Sequence, residues 1–109
     1  MAIASNVSLR IFSDEIPVLP GALECVRAGY IPGGLKANRE FAECVVGYER
    51  DISDDWKTLL FDPQTAGGLF VSIAQDDADL LLEKLRAAGL PAAHIGEVLE
   101  SGKPLIKVS

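Results

Sequence analysis

The sequence predicts a mixed α/β fold, a mixed β-sheet with helices packed on it. Three observations carry this reading. Strand-like and helix-like segments alternate for most of the length. The compact apolar run Leu69-Phe70-Val71-Ser72-Ile73 has the character of a central strand. The clearest helix follows it, with Ala78, Leu81, Leu82, Leu85 and Ala88 repeating at three and four.

Taken in order, Val7, Leu9 and Ile11 alternate with Ser8 and Arg10, which is the period of a half-buried strand. Leu19, Leu23 and Val26 fall on one helical face, with Pro20 suited to the first turn and Gly29 to the end. Tyr30 to Gly34 reads as a loop. Residues 36–44 form a short helix that carries Phe41 inward, and a short strand lies around Val45 and Val46. Ser53 is placed to cap a helix whose first turn holds Asp54 and Asp55 and whose apolar face holds Trp56, Leu59 and Leu60. Pro63 stops it. Asp76 or Asp77 caps the next helix, Leu80 falls off its apolar stripe, and Gly89-Leu90-Pro91 ends it. Ala93 to Leu99 and Pro104 to Val108 then read as two strands joined by a tight turn at Ser101-Gly102.

The length of 109 residues bounds this to a single domain, residues 1–109. Apolar residues make up 49% and mean hydropathy is +0.23, high for a small soluble domain. A domain this apolar leaves some of that surface exposed, and such patches mark interfaces. The composition therefore points to a partner surface outside these residues. A net charge of −6 and scattered Lys and Arg argue against a nucleic-acid-binding face. No apolar stretch reaches the length of a membrane span, and residues 1–8 lack the pattern of a signal peptide, so a cytoplasmic address is expected. Cys25 and Cys44, with His94 the only histidine, cannot supply an ordinary structural zinc site. Both cysteines read as small buried apolar residues in a reducing compartment, and His94 as a half-buried structural residue in a strand.

The most informative stretch is Asp62-Pro63-Gln64-Thr65-Ala66-Gly67-Gly68-Leu69-Phe70. It places a carboxylate, an amide and a hydroxyl within four positions. Gly67 and Gly68 let the main chain approach a ligand or another segment closely. Two readings stand: a binding lip, or a well-made connection between a helix and a strand. The acidic pairs Asp54-Asp55 and Asp76-Asp77 read as helix-start residues rather than metal ligands. Lys36 and Lys57 lie outside any Gly-Lys-Thr phosphate-loop pattern. Asn38, after a glycine loop, reads as a cap or turn residue.

The same stretch resembles the carboxy-terminal domain of selenophosphate synthetase (selenide, water dikinase), where Asp-Pro-Gln-Thr-(Ser or Ala)-Gly-Gly-Leu precedes an apolar strand. Ile16-Pro17-Val18-Leu19-Pro20-Gly21-Ala22-Leu23, then Ala28-Gly29 and Ile31-Pro32-Gly33-Gly34 with Asn38 and Phe41, resembles the family's stretch upstream. Ile95-Gly96-Glu97-Val98 resembles its closing strand. The resemblance runs from about residue 5 to 108 in matching order. Two hydroxyls of the family pattern are absent, since Leu35 stands where Thr is frequent and Ala66 where Ser is frequent.

The resemblance implies a parent enzyme that makes selenophosphate, AMP and phosphate from selenide, ATP and water with magnesium, and that dimerises. It places the family's reactive Cys or selenocysteine, catalytic lysine and metal-binding aspartates mostly in an amino-terminal ATP-binding domain, whose motifs are absent here. The chain is then the later part of the carboxy-terminal domain, with no catalytic or metal residues of its own and no cofactor expected in it. Gln64, Thr65, Gly67, Gly68 and Asn38 are the candidates for contact with substrate or the interdomain cleft. The missing amino-terminal domain is the expected partner, and an uncovered apolar face is expected to drive homo-oligomerisation. Two alternatives stay open: a piece of an aminoimidazole ribonucleotide synthetase-like enzyme, and a free-standing small-molecule-binding or regulatory α/β domain without catalysis.

Overall fold

The computed structural model describes residues 1–109. Four strands form one mixed sheet: β1 (Val7–Ile11), β2 (Val46–Tyr48), β3 (Gly96–Glu100) and β4 (Ile106–Val108), in the order β2-β4-β1-β3. β1 runs antiparallel to β3 and parallel to β4, and β4 runs parallel to β2. Five helices accompany it: α1 (Ala2–Ser5), α2 (Ala22–Arg27), α3 (Gly33–Ala42), α4 (Asp54–Leu59) and α5 (Gln75–Ala87). The α/β class expected from the sequence is the observed one. α1 has no counterpart in the sequence pattern; it is a single turn ended by Asn6 in the left-handed conformation.

The alternation of Val7, Leu9 and Ile11 does produce a strand, but both of its faces are closed, one at Leu9 and the opposite one at the Ser8 hydroxyl. Ser8 Oγ accepts from the Gly102 amide at 2.9 Å and donates to its carbonyl at 3.1 Å. That pairing explains why no hairpin forms at residues 101–102. The connection crosses the end of β1 instead, so β3 and β4 lie on opposite sides of β1 rather than against each other. Two glycines sit where neighbouring atoms approach closely, Gly96 against backbone and Gly47 against a proline ring. A Cβ on Gly96 would overlap the Arg10 carbonyl oxygen, and one on Gly47 would sit 2.5 Å from Pro104 Cγ.

Helices α2 and α5 end as their glycines predict. Gly29 (φ 80°) and Gly89 (φ 77°) each follow a pair of closing bonds, Tyr30 N to Cys25 O with Gly29 N to Val26 O, and Leu90 N to Leu85 O with Gly89 N to Arg86 O. α3 departs from expectation at both ends. It starts at Gly33 because Pro32 holds an extended N-cap and first-turn amides need no intrahelical partner. Its inward face is therefore Leu35, Asn38, Arg39 and Ala42, the i, i+3, i+4, i+7 positions. Leu35 is 3% exposed, and Phe41, off that face, is 84% exposed. α5 is capped by neither Asp76 nor Asp77: its N-cap is Ala74, and both aspartates sit in the first turn. Leu80 does lie off the stripe and is exposed.

The largest departure is Leu69–Ile73. It pairs with no strand, and Leu69 is 95% exposed. Within the chain, residues 63–73 make no main-chain hydrogen bond, because no sheet edge reaches them. α5 beside it has no buried residue. Only eight of 109 residues are buried, Leu9, Leu35, Ile52 and Val108 among them, and the radius of gyration of 14.8 Å exceeds the roughly 13 Å of a compact domain this long. The two cysteines are exposed, not buried, since Cys25 and Cys44 fall on outward sides of their helical turns. His94 is exposed and precedes β3; its Nε2 lies 2.9 Å from Gly96 O and its ring meets Phe12 edge-on.

Close packing at Gly96 gives a direct test. Gly96→Ala is expected to cost about 1–3 kcal/mol, because the backbone it meets cannot move aside. Gly68→Ala, with nothing within 4 Å of the added carbon, should stay within about 0.5 kcal/mol of the parent. Urea unfolding of the two variants measures both.

Candidate functional site

The Asp62–Gly68 turn is held at its base by a latched pair of helices. α4 begins as its sequence dictates: Ser53 Oγ accepts from the Trp56 amide at 3.3 Å, with Asp54 and Asp55 in the first turn. It ends through Phe61 N to Thr58 O and Asp62 N to Leu59 O, and Pro63 prevents continuation. α3 then grips this end twice. Asn38 Nδ2 donates to Phe61 O at 3.0 Å, and Pro63 packs against Gly34, where an added Cβ would lie 3.2 Å from Pro63 Cγ. Asn38 is thus neither cap nor turn residue; it sits within α3 and fixes the main chain at the root of the turn.

Arg39, one position on, ties the same helices together. Its guanidinium donates to Asp54 Oδ1 at 2.8 Å, to Glu43 Oε1 at 3.0 Å and to the hydroxyl of the buried Thr58 at 3.1 Å. Donating to Asp54 and Glu43 holds Arg39 more firmly protonated than usual, and accepting from Arg39 holds the Asp54 carboxyl below its ordinary 3.8. Arg27 of α2 reaches Asp55 at 3.2 Å, so both first-turn aspartates of α4 are engaged by arginines. Beneath the pair, Tyr48 packs its ring under Lys57 Nζ at 4.7 Å. Burial, with the Glu43 charge adding, pushes its phenol above the ordinary range, and its hydroxyl is buried without a hydrogen-bond partner.

The turn itself is exposed throughout residues 62–68. Gln64 folds back over Gly67 so closely that a Cβ there would overlap Gln64 Oε1. Side-chain hydrogen bonds in this region run through Asn38, Arg39 and Ser53 and leave Gln64 and Thr65 unengaged. Gly68 opens onto a groove of about 320 Å³ lined by Leu69, Val71, Leu85 and Leu90. The structure therefore brings Asn38 to the base of the turn, sets Gln64 against Gly67, and puts Gly68 at the mouth of an apolar groove. A second cavity of about 440 Å³, between Ile3, Cys44 and Pro104, includes none of these residues. No three His, Cys, Asp or Glu side chains converge as a metal-holding group.

Sequence reasoning passed over Arg39 and Tyr48. Arg39 carried a signal, a carboxylate four residues on at Glu43, although its longer reach to Asp54 had none. Tyr48 had none, because an orphaned hydroxyl depends on what the fold leaves nearby.

The architecture is that of an α/β domain, a mixed sheet accompanied by a latched helix pair and an exposed double-glycine turn. The chain belongs to the family described as AIR synthase related protein, C-terminal domain, which matches residues 1–109. It is similar over 109 residues to a protein named selenide, water dikinase from Pelobacter propionicus, at 39% identity, covering 99% of this chain and 31% of the relative. Selenide, water dikinase 2 of Peptoclostridium acidaminophilum is 39% identical over 109 residues with the same coverage. Selenide, water dikinase of Geobacter sp. strain M21 is 40% identical over 112 residues, again covering 99% of this chain and 31% of the relative. The chain thus has the character of a selenophosphate synthetase-like carboxy-terminal domain, and it spans about a third of the length of these curated relatives.

Two outcomes are expected here. The Arg39–Asp54 contribution to stability is present at neutral pH and down to 3.8, and is lost as pH falls further through the lowered carboxyl value. The stability difference between the parent and Asp54→Asn should accordingly close at the acid end, as read by denaturant midpoints across pH. Tyr48→Phe, which removes a buried hydroxyl without a partner, should be neutral or stabilising by up to about 1 kcal/mol.

Proposed function

We propose that these residues are the later part of the carboxy-terminal domain of an enzyme that makes selenophosphate, AMP and phosphate from selenide, ATP and water. The observation that carries this reading is the turn. It is exposed, fixed at its base by Asn38, and leaves Gln64 and Thr65 free, in a chain similar along its whole length to proteins named selenide, water dikinase. In this reading Gln64, Thr65, Gly67 and Gly68 form one wall of the cleft between this domain and an amino-terminal nucleotide-binding domain. Amides of a double-glycine turn supply an anion-binding concavity, and the Thr65 hydroxyl adds a donor. Asn38 positions that wall and does not touch substrate.

ATP and magnesium belong to the whole enzyme in this reading. The residues present do not compose a magnesium site, because the acidic side chains fail to converge and Asp54 and Asp55 are committed to Arg39 and Arg27. Phosphoryl transfer needs cations and donors arranged around the phosphates, so the reactive groups are assigned to the part outside this chain. The whole enzyme is read as a cytoplasmic homo-oligomer, a setting that suits two exposed free thiols; no helix is long and apolar enough to cross a membrane.

Purified alone, the 109 residues are expected to give no AMP production dependent on ATP and selenide. In the whole enzyme, Thr65→Val is expected to lower turnover per folded molecule about tenfold or more while leaving the unfolding midpoint in place. Unchanged turnover with a lowered midpoint would make the turn a connection only.

A further inference from the structure

Arg39 of α3 holds α4 at two heights. Its Nη2 donates to Asp54 Oδ1 at 2.8 Å, at the first residue of α4, and its Nη1 donates to Thr58 Oγ1 at 3.1 Å, one turn further on. Residues four apart on a helix share a face, so both acceptors look the same way. Asn38 takes the Phe61 carbonyl beyond them, where Phe61 N to Thr58 O carries the helical winding past the end of α4. Two consecutive residues of α3 thus meet a single line on α4, at Asp54, Thr58 and Phe61. The guanidinium is also set from its own helix, because Nε donates to Glu43 Oε1 at 3.1 Å, four residues on. None of its acceptors lies within the Asp62–Gly68 turn.

A lone bond at Asn38 fixes a point and leaves α4 free to swing about it. Two bonds from a planar fork, a helical turn away, fix the direction in which α4 runs into Asp62. Stability alone is a poor account of this pairing. The Asp54 side chain is 76% exposed, and ion pairs so open to water contribute little to folding. We propose that Arg39 is a positioning residue for the Asp62–Gly68 turn, setting where Gln64 and Thr65 stand without a hydrogen bond to either. Lysine is no substitute, because an ammonium on a flexible stem lacks the rigid fork that serves Asp54, Thr58 and Glu43 together. The consequence for turnover rests on the reading above, in which the turn is one wall of the active-site cleft. The placement of the turn does not.

Main-chain amide resonances of this chain and turnover of the whole enzyme test the two parts. Arg39→Lys should shift the amide signals of Gln64, Thr65 and Gly67 while those of β1 and β3 stay in place. Arg27→Lys alters the pair made from α2 to Asp55, a single acceptor, and should leave the turn signals where they are. In the whole enzyme Arg39→Lys should lower kcat about tenfold with KM for ATP and the unfolding midpoint unchanged, and should add little to Thr65→Val in the double variant. Turn signals unmoved in Arg39→Lys would overturn the inference. So would shifts of equal size in Arg27→Lys, which would mark a general response to a weakened ion pair. Full turnover in Arg39→Lys beside impaired turnover in Thr65→Val would overturn its kinetic part. Shifted turn signals in Arg39→Lys with full turnover in Thr65→Val would sink the cleft reading and leave the positioning of the turn by Arg39 standing.

Discussion

The parallel pairing of β1 with β4 is the constraint on which the structure depends. It sets residues near 10 beside residues near 107, and the other two strands attach on either side of that pair. Two buried serines close it. Ser8 satisfies both main-chain groups of Gly102, and Ser13, wholly enclosed, donates its hydroxyl to Ser109 O at 2.8 Å while its amide reaches the same oxygen. Leu9 and Val108 fill the space between them. In so thin a core these bonds carry an unusual share of the specificity, because leaving any of the buried groups unmatched costs about 1–3 kcal/mol.

The helix pair α3 and α4 is the second tier. Its cohesion is polar as much as apolar: Leu35 and Ile52 are buried, but Arg39, Asn38 and Thr58 define how the helices meet. An arginine fork fixes orientation better than apolar contact, since its donors accept only certain angles. The Asp62–Gly68 turn is thereby anchored at its root by Asn38 and exposed along its length.

Much of this was legible in the residues. The period-two run at Val7–Ile11, the Ser53 cap and the glycine stops at 29 and 89 each follow from local rules, and local rules were obeyed. The double-glycine turn was legible as a marker because several signals coincide there. The failures share one cause: they concern partners distant in sequence. Leu69–Ile73 carries the composition of a central strand, yet composition cannot say whether a neighbouring strand is present. The expected hairpin after residue 99 gave way to β1, which competes for both strands. Phe41 was expected inward on a helix read as starting at residue 36, which left out Leu35, the residue that marks the buried face, and Phe41 lies off that face. Asn38, read as a cap, acquires its role only through the Phe61 carbonyl 23 residues on.

A closed frame around β1, with an uncovered segment at residues 63–73, makes one strong demand on the chain in solution. Limited proteolysis read by mass spectrometry measures it directly. The first cuts are expected within residues 63–73, leaving two pieces held together through β1, β3 and β4. Early cuts within Val7–Ile11 or α4, with residues 63–73 resistant, would contradict the account.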